Sequence, residues 1–246
     1  NKEPIGTGPY KLVAWNKGES LELEAFEDYW GGAAPIKHVI WKVIPEGSSR
    51  TMALETGEVD LVVDVETTDL TRLTEDPSLE VFNEAGTTHQ WMMINNEIAP
   101  FNNADFRRAI ASAIDKEAVI QVSLQGTGSV SDSMLPGCFN GVTDTGAMTY
   151  DVEKAKEYLA ASGLDPADCG FAIICSDDMK LRQGQVIQSC LKENLGIETT
   201  LESMDLATYL DVTATGDYQA AIGNYTASSV LAYSQGVYHS MSINGS

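Results

Sequence analysis

The sequence has few positive charges for its length, with 15 lysines and arginines against 36 aspartates and glutamates among 246 residues. The formal net charge of −21 repels other polyanions, so nucleic acid and anionic membrane surfaces are excluded as partners. Solubility is the simplest interpretation of this charge, and an acidic ligand site is the lesser alternative. Long apolar runs are also missing, because no stretch approaches the ~20 residues that a membrane helix needs.

Cysteine and histidine are scarce as well, with four and three residues respectively. The cysteines are too few for a disulfide scaffold and none are spaced as CxxC, so a zinc site is not predicted. Buried thiols are expected, and one bridge among Cys169, Cys175 and Cys190 is the alternative in an exported protein. Neither HExxH nor GxSxG occurs. The sequence therefore predicts no catalytic residue, no metal ligand and no cofactor.

What is present is an ordinary globular composition, with 43% hydrophobic and 21% charged residues. Apolar alternation on both sides of a loop that contains Gly18 predicts a hairpin from Tyr10–Trp15 and Leu21–Phe26. Ser48–Thr56 is predicted to be a helix because Gly57 follows as its stop. Further strands are predicted at Lys37–Ile44, Val59–Val63 and Leu79–Phe82.

The stretch His89–Ile114 changes from a strand pattern to a helix pattern. Alternate side chains of a strand share one face, so His89, Trp91 and Met93 are predicted to point the same way. From Phe106 onward, apolar residues recur at spacings of three and four, which is typical of a helix face. This stretch is interpreted as a crossing from one structural region to another.

Beyond the crossing, helices and strands alternate, an order typical of an α/β unit with parallel strands. Asp115 and Asp151 are predicted to cap the helices that follow them. The change of pattern near residue 93 predicts two domains, residues 1–92 and 93–246. The predicted helices are Lys116–Leu124, Val152–Ala161, Met179–Leu195 and Leu206–Val212; the predicted strands are Phe171–Cys175, Ile197–Leu201 and Tyr218–Tyr225. No element is predicted after residue 226.

Aromatic and polar side chains gather at two predicted strand ends. Trp91 lies in the crossing strand, and Asn224, Tyr225 and Thr226 end the last strand. Ligands of open α/β sheets bind beyond the strand ends, and aromatic residues with a few polar groups are typical of a binding cleft. The alternative is that Trp91 and Tyr225 are core or hinge-packing residues.

Five short motifs of Gly, Pro, aromatic and charged residues stand along the chain. They are Pro4–Tyr10, Asp28–Gly32, Arg50–Asp60, Asn95–Asp115 and Tyr150–Ala155. In this order and spacing they resemble the extracellular solute-binding proteins of family 5 that serve ABC importers, the peptide-, dipeptide- and nickel-binding type. Each motif alone is weak, but the resemblance runs nearly from end to end.

The resemblance implies an α/β, periplasmic-binding-protein-like fold of type II, in which two lobes close on a ligand by a hinge motion. Members of the family are longer, so a partial fold is implied: residues 1–92 as the C-terminal part of lobe I and residues 93–246 as lobe II, incomplete at its C-terminus. The implied partners are a peptide-like solute and the permease subunits of an ABC importer. The implied location is extracytoplasmic, with membrane contact only through a lipid anchor outside this chain.

Two strands near the hinge line the cleft in peptide-binding members, and they match His89–Asn95 and Ala220–Tyr225. An Asp after the second strand pairs with the peptide's amino terminus in those members, but this sequence has Ala227 there. The backbone of Gly223 and Tyr225 is an alternative contact, through strand addition. The predicted ligand-binding residues are His89, Trp91 and Met93, and across from them Gly223, Asn224, Tyr225, Thr226 and Ala227.

Other functions stay open at this point. The missing Asp favours a non-peptide ligand, such as an oligosaccharide, an opine-like compound or a nickel chelate. A ligand-sensing domain of a regulator and an enzyme that uses the histidines and acidic residues are further alternatives. An importer component without enzymatic activity is the leading hypothesis.

Overall fold

The structure is a computed structural model that describes residues 4–133, 135–143, 145–146 and 149–239. It contains two compact units, which divide between Val81 and Phe82. The predicted crossing strand therefore lies wholly within the second unit. The lobe boundary at residue 92 concerns the whole protein and stays a prediction.

The first unit is built on a three-stranded antiparallel sheet, and its predicted hairpin is confirmed. Arg50 donates hydrogen bonds to the carbonyl oxygens of Ile44, Pro45 and Asp64, which ties the segments around the first helix together. The elements are β1 (Tyr10–Asn16), β2 (Ser20–Ala25), β3 (His38–Lys42), α1 (Gly47–Glu55) and α2 (Thr67–Glu75).

Two predicted strands are wrong, because Val59–Val63 and Leu79–Phe82 are irregular. Their apolar side chains do not form a core face, since Leu61 is 73% and Phe82 80% exposed. An apolar run becomes a strand only where another strand completes its backbone hydrogen bonds. Within the described residues, neither run has such a partner.

The second unit is an α/β structure around a four-stranded sheet in the order β4-β7-β5-β6. β4 is antiparallel to β7, and β5 is parallel to both β6 and β7. Its strands are β4 (Thr88–Ile94), β5 (Phe171–Cys175), β6 (Thr199–Ser203) and β7 (Ala220–Thr226). Its helices are α3 (Ala104–Ala113), α4 (Lys116–Leu124), α5 (Val152–Ser162), α6 (Asp178–Leu195), α7 (Leu206–Thr215) and α8 (Val230–Val237).

Local side-chain chemistry explains where most of these helices begin. The Asn103 side chain accepts hydrogen bonds from the amides of Asp105 and Phe106, so α3 starts two residues before the predicted apolar face. The predicted caps at Asp115 and Asp151 are confirmed, since each accepts a backbone N–H of the following turn. Such caps satisfy amides that have no partner within the helix.

The core of the second unit lies between the sheet and helices α3, α5 and α6. Phe101 has no exposed surface, and its ring stands edge-on to Phe106 and to Phe171, with centroids 5.6 and 4.8 Å apart. Phe106, Ile110 and their neighbours in the predicted apolar stripe of α3 are buried here, which confirms that face.

We expect Leu191→Ala in α6 to lower the free energy of unfolding by about 2–5 kcal/mol, because it empties a fully buried core position. Leu210→Ala is the matched control, since Leu210 lies on a helix of the same unit but is 56% exposed. Its cost should stay within about 0.5 kcal/mol. Urea unfolding of the full-length protein measures both, and equal losses would contradict this core assignment.

Candidate ligand-binding site on strands β4 and β7

The predicted site residues lie on two hydrogen-bonded neighbours of one sheet, not on opposing walls. In the antiparallel register His89 stands beside Tyr225, Trp91 beside Gly223 and Thr88 beside Thr226. Directly paired residues project to the same face. The structure therefore brings His89, Trp91, Gly223 and Tyr225 together on one face of the pair.

This face carries an aromatic cluster centred on Tyr233 of α8, which has no exposed surface. The Tyr233 ring lies 6.1 Å from His89, 6.2 Å from Trp91 and 5.5 Å from Tyr225 between centroids. His89 and Trp91 also contact each other edge-on at 5.6 Å. Burial raises the pKa of the Tyr233 hydroxyl well above its usual range, so this group stays protonated. That hydroxyl lies 3.3 Å from His89 Nδ1.

Met93 points to the same face but packs deeper in the unit. It contacts a small cluster that includes Ile174, Tyr209 and Ala221. Gly223 makes this packing feasible, because a Cβ atom there would lie 3.1 Å from Met93 Cε and 3.4 Å from the Tyr209 hydroxyl. In this structure Met93 and Gly223 therefore belong to the packing of this small cluster, next to the aromatic rings along the strands.

The backbone of Gly223 and Tyr225 is already used inside the sheet. The Asn95 amide donates to the Gln219 carbonyl over 3.0 Å, which fixes one hydrogen-bonded pair of the β4–β7 ladder. Such pairs alternate along antiparallel strands, so the pairs of Gly223 with Trp91 and Tyr225 with His89 are hydrogen-bonded too. Strand addition at Gly223 and Tyr225 is therefore a wrong prediction, because the register assigns their amides and carbonyls to β4.

The end of β7 is polar and partly open. Asn224 is exposed, while the Thr226 hydroxyl lies 2.7 Å from that of Thr88 and links the two strand ends. Ala227 is only 9% exposed. The side chain that follows β7 thus contributes no charge to the surface.

A buried cation lies at the C-terminal end of β5. Lys180 is 7% exposed, and its Nζ atom lies 2.5 Å from Asp177 Oδ2 and 2.9 Å from Ser176 Oγ. Partial burial alone would raise the pKa of Asp177, but the hydrogen bonds and positive charge of Lys180 outweigh it and hold that pKa low. Nearby, the Tyr209 hydroxyl donates a hydrogen bond of 2.8 Å to the carbonyl oxygen of Ile222. Burial raises the pKa of Tyr209 to about 12. The Tyr209 hydrogen bond ties α7 to the middle of β7.

A cavity of about 950 Å³ lies along β4. Its wall includes His89 and Trp91 from the predicted site, but neither Met93 nor the segment 223–227. The rest of the wall comes from helices α3, α4 and α6, the loop after α4, residues 83–86, Ile222 of β7 and Tyr238. His89 and Trp91 therefore belong to the aromatic cluster and also line a cavity that is large enough for a small ligand.

Three residues that shape this region were not predicted. Tyr233 lies beyond residue 226, where no element was predicted, although Ser229 accepts from the Ala232 amide and caps α8. That Ser, placed before an apolar run, was the available signal. Gln183 is 4% exposed and donates from Nε2 to Gln90 Oε1. No sequence signal links those two residues, which lie 93 positions apart.

The described residues include no group of three or more His, Cys, Asp or Glu side chains that could hold a metal ion. All four cysteines are free; Cys169 and Cys175 are buried and Cys138 is exposed. Burial raises the pKa of the Cys175 thiol to about 11. In the part of the chain that the structure covers, no helix has the length and apolarity needed to cross a membrane.

Comparison with known proteins gives a consistent match. The sequence profile described as bacterial extracellular solute-binding proteins, family 5 (middle), matches residues 1–241. Heme-binding protein A of Haemophilus influenzae is 31% identical over 164 residues, covering 66% of this chain and 30% of that protein. The probable D,D-dipeptide-binding periplasmic protein DdpA of Escherichia coli is 31% identical over 223 residues, covering 90% of this chain and 43% of that protein.

A solved structure matches at the level of the fold and the sequence. The periplasmic binding protein DppA of Helicobacter pylori, in complex with the peptide STSA, aligns with a TM-score of 0.77 at 30% identity. The alignment covers 93% of this chain and 44% of that one. The predicted type II periplasmic-binding-protein fold is confirmed, and the chain spans less than half the length of each of these three relatives.

We expect Tyr233→Ala to lower the free energy of unfolding by about 3–5 kcal/mol, because a fully buried ring is lost from the centre of the cluster. Tyr233→Phe keeps the ring and removes only the hydroxyl beside His89, so its cost should be about 1 kcal/mol. Chemical denaturation of the full-length protein distinguishes the two. A negligible loss in Tyr233→Ala would mean that α8 does not pack on this face.

Proposed function

The chain belongs to the bacterial extracellular solute-binding proteins of family 5, and we propose that it is part of the substrate-binding component of an ABC importer. In this proposal the whole protein captures a peptide-like solute in a cleft between two lobes and delivers it to the membrane permease. Binding and release, without covalent chemistry, are its complete role. We expect an extracytoplasmic protein that a lipid anchor outside this chain holds at the membrane.

The observation that carries the proposal is the group of aromatic rings at the adjoining ends of β4 and β7. His89, Trp91 and Tyr225 are each half-buried, so part of every ring is accessible while the rest is held by Tyr233. Rigid rings offer a ligand a large contact area at little entropic cost. Exposed Asn224 adds an amide beside them.

In the proposed site, the eight predicted residues have different tasks. His89 and Trp91 contact the ligand directly, and Asn224, Tyr225 and Thr226 form the polar end beside them. Met93 and Gly223 lie farther along the strands, where Met93 packs close to Gly223 and contacts the cluster of Ile174, Tyr209 and Ala221. Ala227 closes the end of the strand without adding charge.

A peptide-like ligand is supported by the relatives. One is called a probable D,D-dipeptide-binding protein and another was solved with a bound peptide. A peptide also suits a surface of rings beside amide and hydroxyl groups, because it presents alternating polar backbone and side chains.

A second candidate ligand is favoured by one observation. Ala227 occupies the position where the peptide-binding relatives were expected to place an acid, and it is 9% exposed. A buried ammonium group needs an anionic partner, so a ligand without a free amino terminus fits this position better. An oligosaccharide, an opine-like compound or a nickel chelate would meet this condition.

Native mass spectrometry of the full-length protein, purified from its own cells, distinguishes these ligands. A ladder of peptide masses supports the leading proposal, whereas a single sugar, opine-like or metal-chelate mass supports the second candidate. Substrate turnover that Trp91→Ala and His89→Ala abolish would overturn the role as a binding protein.

We expect Trp91→Ala to weaken binding of the tripeptide Ala-Leu-Ala to the full-length protein by about 30-fold, the usual effect of truncating an aromatic hot spot. Trp30→Ala is the matched control, since Trp30 is 84% exposed and lies in the first unit. It should leave the dissociation constant unchanged in isothermal titration calorimetry. Equal affinities for Trp91→Ala and the unmodified protein would remove this residue from the site.

A further inference from the structure

The loop that follows α4 contains Asn140 directly before Gly141. The sequence has one other Asn-Gly pair, Asn244 with Gly245, which lies outside the described residues. After every other asparagine comes a residue that has a side chain. The amide carbon Cγ of an asparagine is an electrophile, and the backbone nitrogen of the next residue is a nucleophile close to it. A following glycine leaves that nitrogen unshielded, because it has no Cβ atom.

This pair lies at the centre of an exposed turn. The Val142 amide donates a hydrogen bond of 3.2 Å to the Phe139 carbonyl oxygen, so Asn140 and Gly141 are the two central residues of a β-turn. Gly141 has a φ of +86°, and a Cβ atom added there would meet nothing beyond its chain neighbours within 4 Å. Both central residues are exposed. Water and hydroxide therefore reach the side chain and the backbone nitrogen.

The two groups that would react are not held by the surrounding protein. Among the described residues, no hydrogen bond reaches the Asn140 side chain or the Gly141 amide. Other asparagines are fixed: the Asn103 side chain caps α3, and that of Asn194 donates to the Ala113 carbonyl oxygen. A side chain held in this way cannot turn toward the next backbone nitrogen. Asn140 is therefore the described asparagine best placed to react with the residue that follows it.

We propose that Asn140 is a site of spontaneous deamidation, a modification that consumes only water. The deprotonated Gly141 nitrogen attacks Cγ of Asn140, which closes a succinimide ring and releases the side-chain nitrogen as ammonia. Water then opens the ring. Opening at the side-chain carbonyl breaks the new bond and gives aspartate, whereas opening at the main-chain carbonyl breaks the original peptide bond and gives isoaspartate. No atom is oxidised or reduced in either step.

The products differ from asparagine in charge, and isoaspartate also changes the backbone. A carboxylate replaces a neutral amide, so the net charge of −21 becomes one unit more negative. Isoaspartate adds a methylene group to the main chain within the turn that Phe139 and Val142 close. The adjacent Gly137 and Cys138 line the cavity along β4. The modification would thus alter a loop of the cavity wall, and it does not depend on the proposed function.

The test follows the peptide that contains Asn140 by liquid chromatography and mass spectrometry, while the full-length protein is incubated at mildly alkaline pH. We expect two separable products, each about 1 Da heavier than the original peptide. They should form about tenfold faster for each added pH unit, because the attacking nitrogen is a minor deprotonated form. Asn140→Gln should lose both products, since the longer side chain would have to close a larger ring. Gly141→Ala should lose most of them, because a methyl group shields the nitrogen.

Asn96 is the matched control within the same protein, because it is exposed in a turn of the same unit but is followed by Glu97. Its peptide should keep its mass. Equal mass gains at Asn96 and Asn140 would show that exposure alone decides, which overturns the proposal. An unchanged Asn140 peptide overturns it as well, and so does aspartate without isoaspartate, which indicates direct hydrolysis of the side chain. If Gly141→Ala reacts as fast as the wild-type protein, the nitrogen of residue 141 is not the nucleophile and the proposal fails.

Discussion

The antiparallel pairing of β4 with β7 holds together residues that lie far apart in the sequence. The hydroxyls of Thr88 and Thr226, separated by 138 positions, meet at the end of this pair. The register assigns each side chain of β4 to one of two faces, and a shift by one residue would exchange them. His89 and Trp91 then meet the aromatic cluster around Tyr233, whereas Met92 and Ile94 pack against the core, and residues of both faces line the cavity.

The same register decides which backbone groups are free. Ladder bonds occupy the amides of Gly223 and Tyr225, while those of Gln90 and Met92 point to the side of β4 where the described residues provide no further strand. Tyr209 strengthens this arrangement, because its hydroxyl bonds to the Ile222 carbonyl on the other side of β7. The proposed site would thus be a two-stranded ribbon with rings on one face, rather than two opposing walls.

The charges in this region largely cancel, so in the proposed site the shape of a ligand would matter more than its charge. The buried cation Lys180 is matched by Asp177, and the charged residues along the described cavity wall are two of each sign. Ala227 adds no carboxylate at the end of β7. If the proposed site binds a ligand, it would do so through ring contact and apolar volume, which tolerate different ligands better than a buried ion pair does.

The sequence by itself determined the elements whose signals are local. Asp115 and Asp151 cap helices where predicted, and Phe171–Cys175 is a strand with the predicted bounds, because caps and apolar runs act over a few residues. The five motifs also identified the family. Tertiary structure alone decided that Val59–Val63 is irregular, that Tyr233 fills the centre of the aromatic cluster, and that Gln183 meets Gln90. These outcomes depend on contacts between distant segments, and single-sequence patterns carry no information about which distant segments will meet.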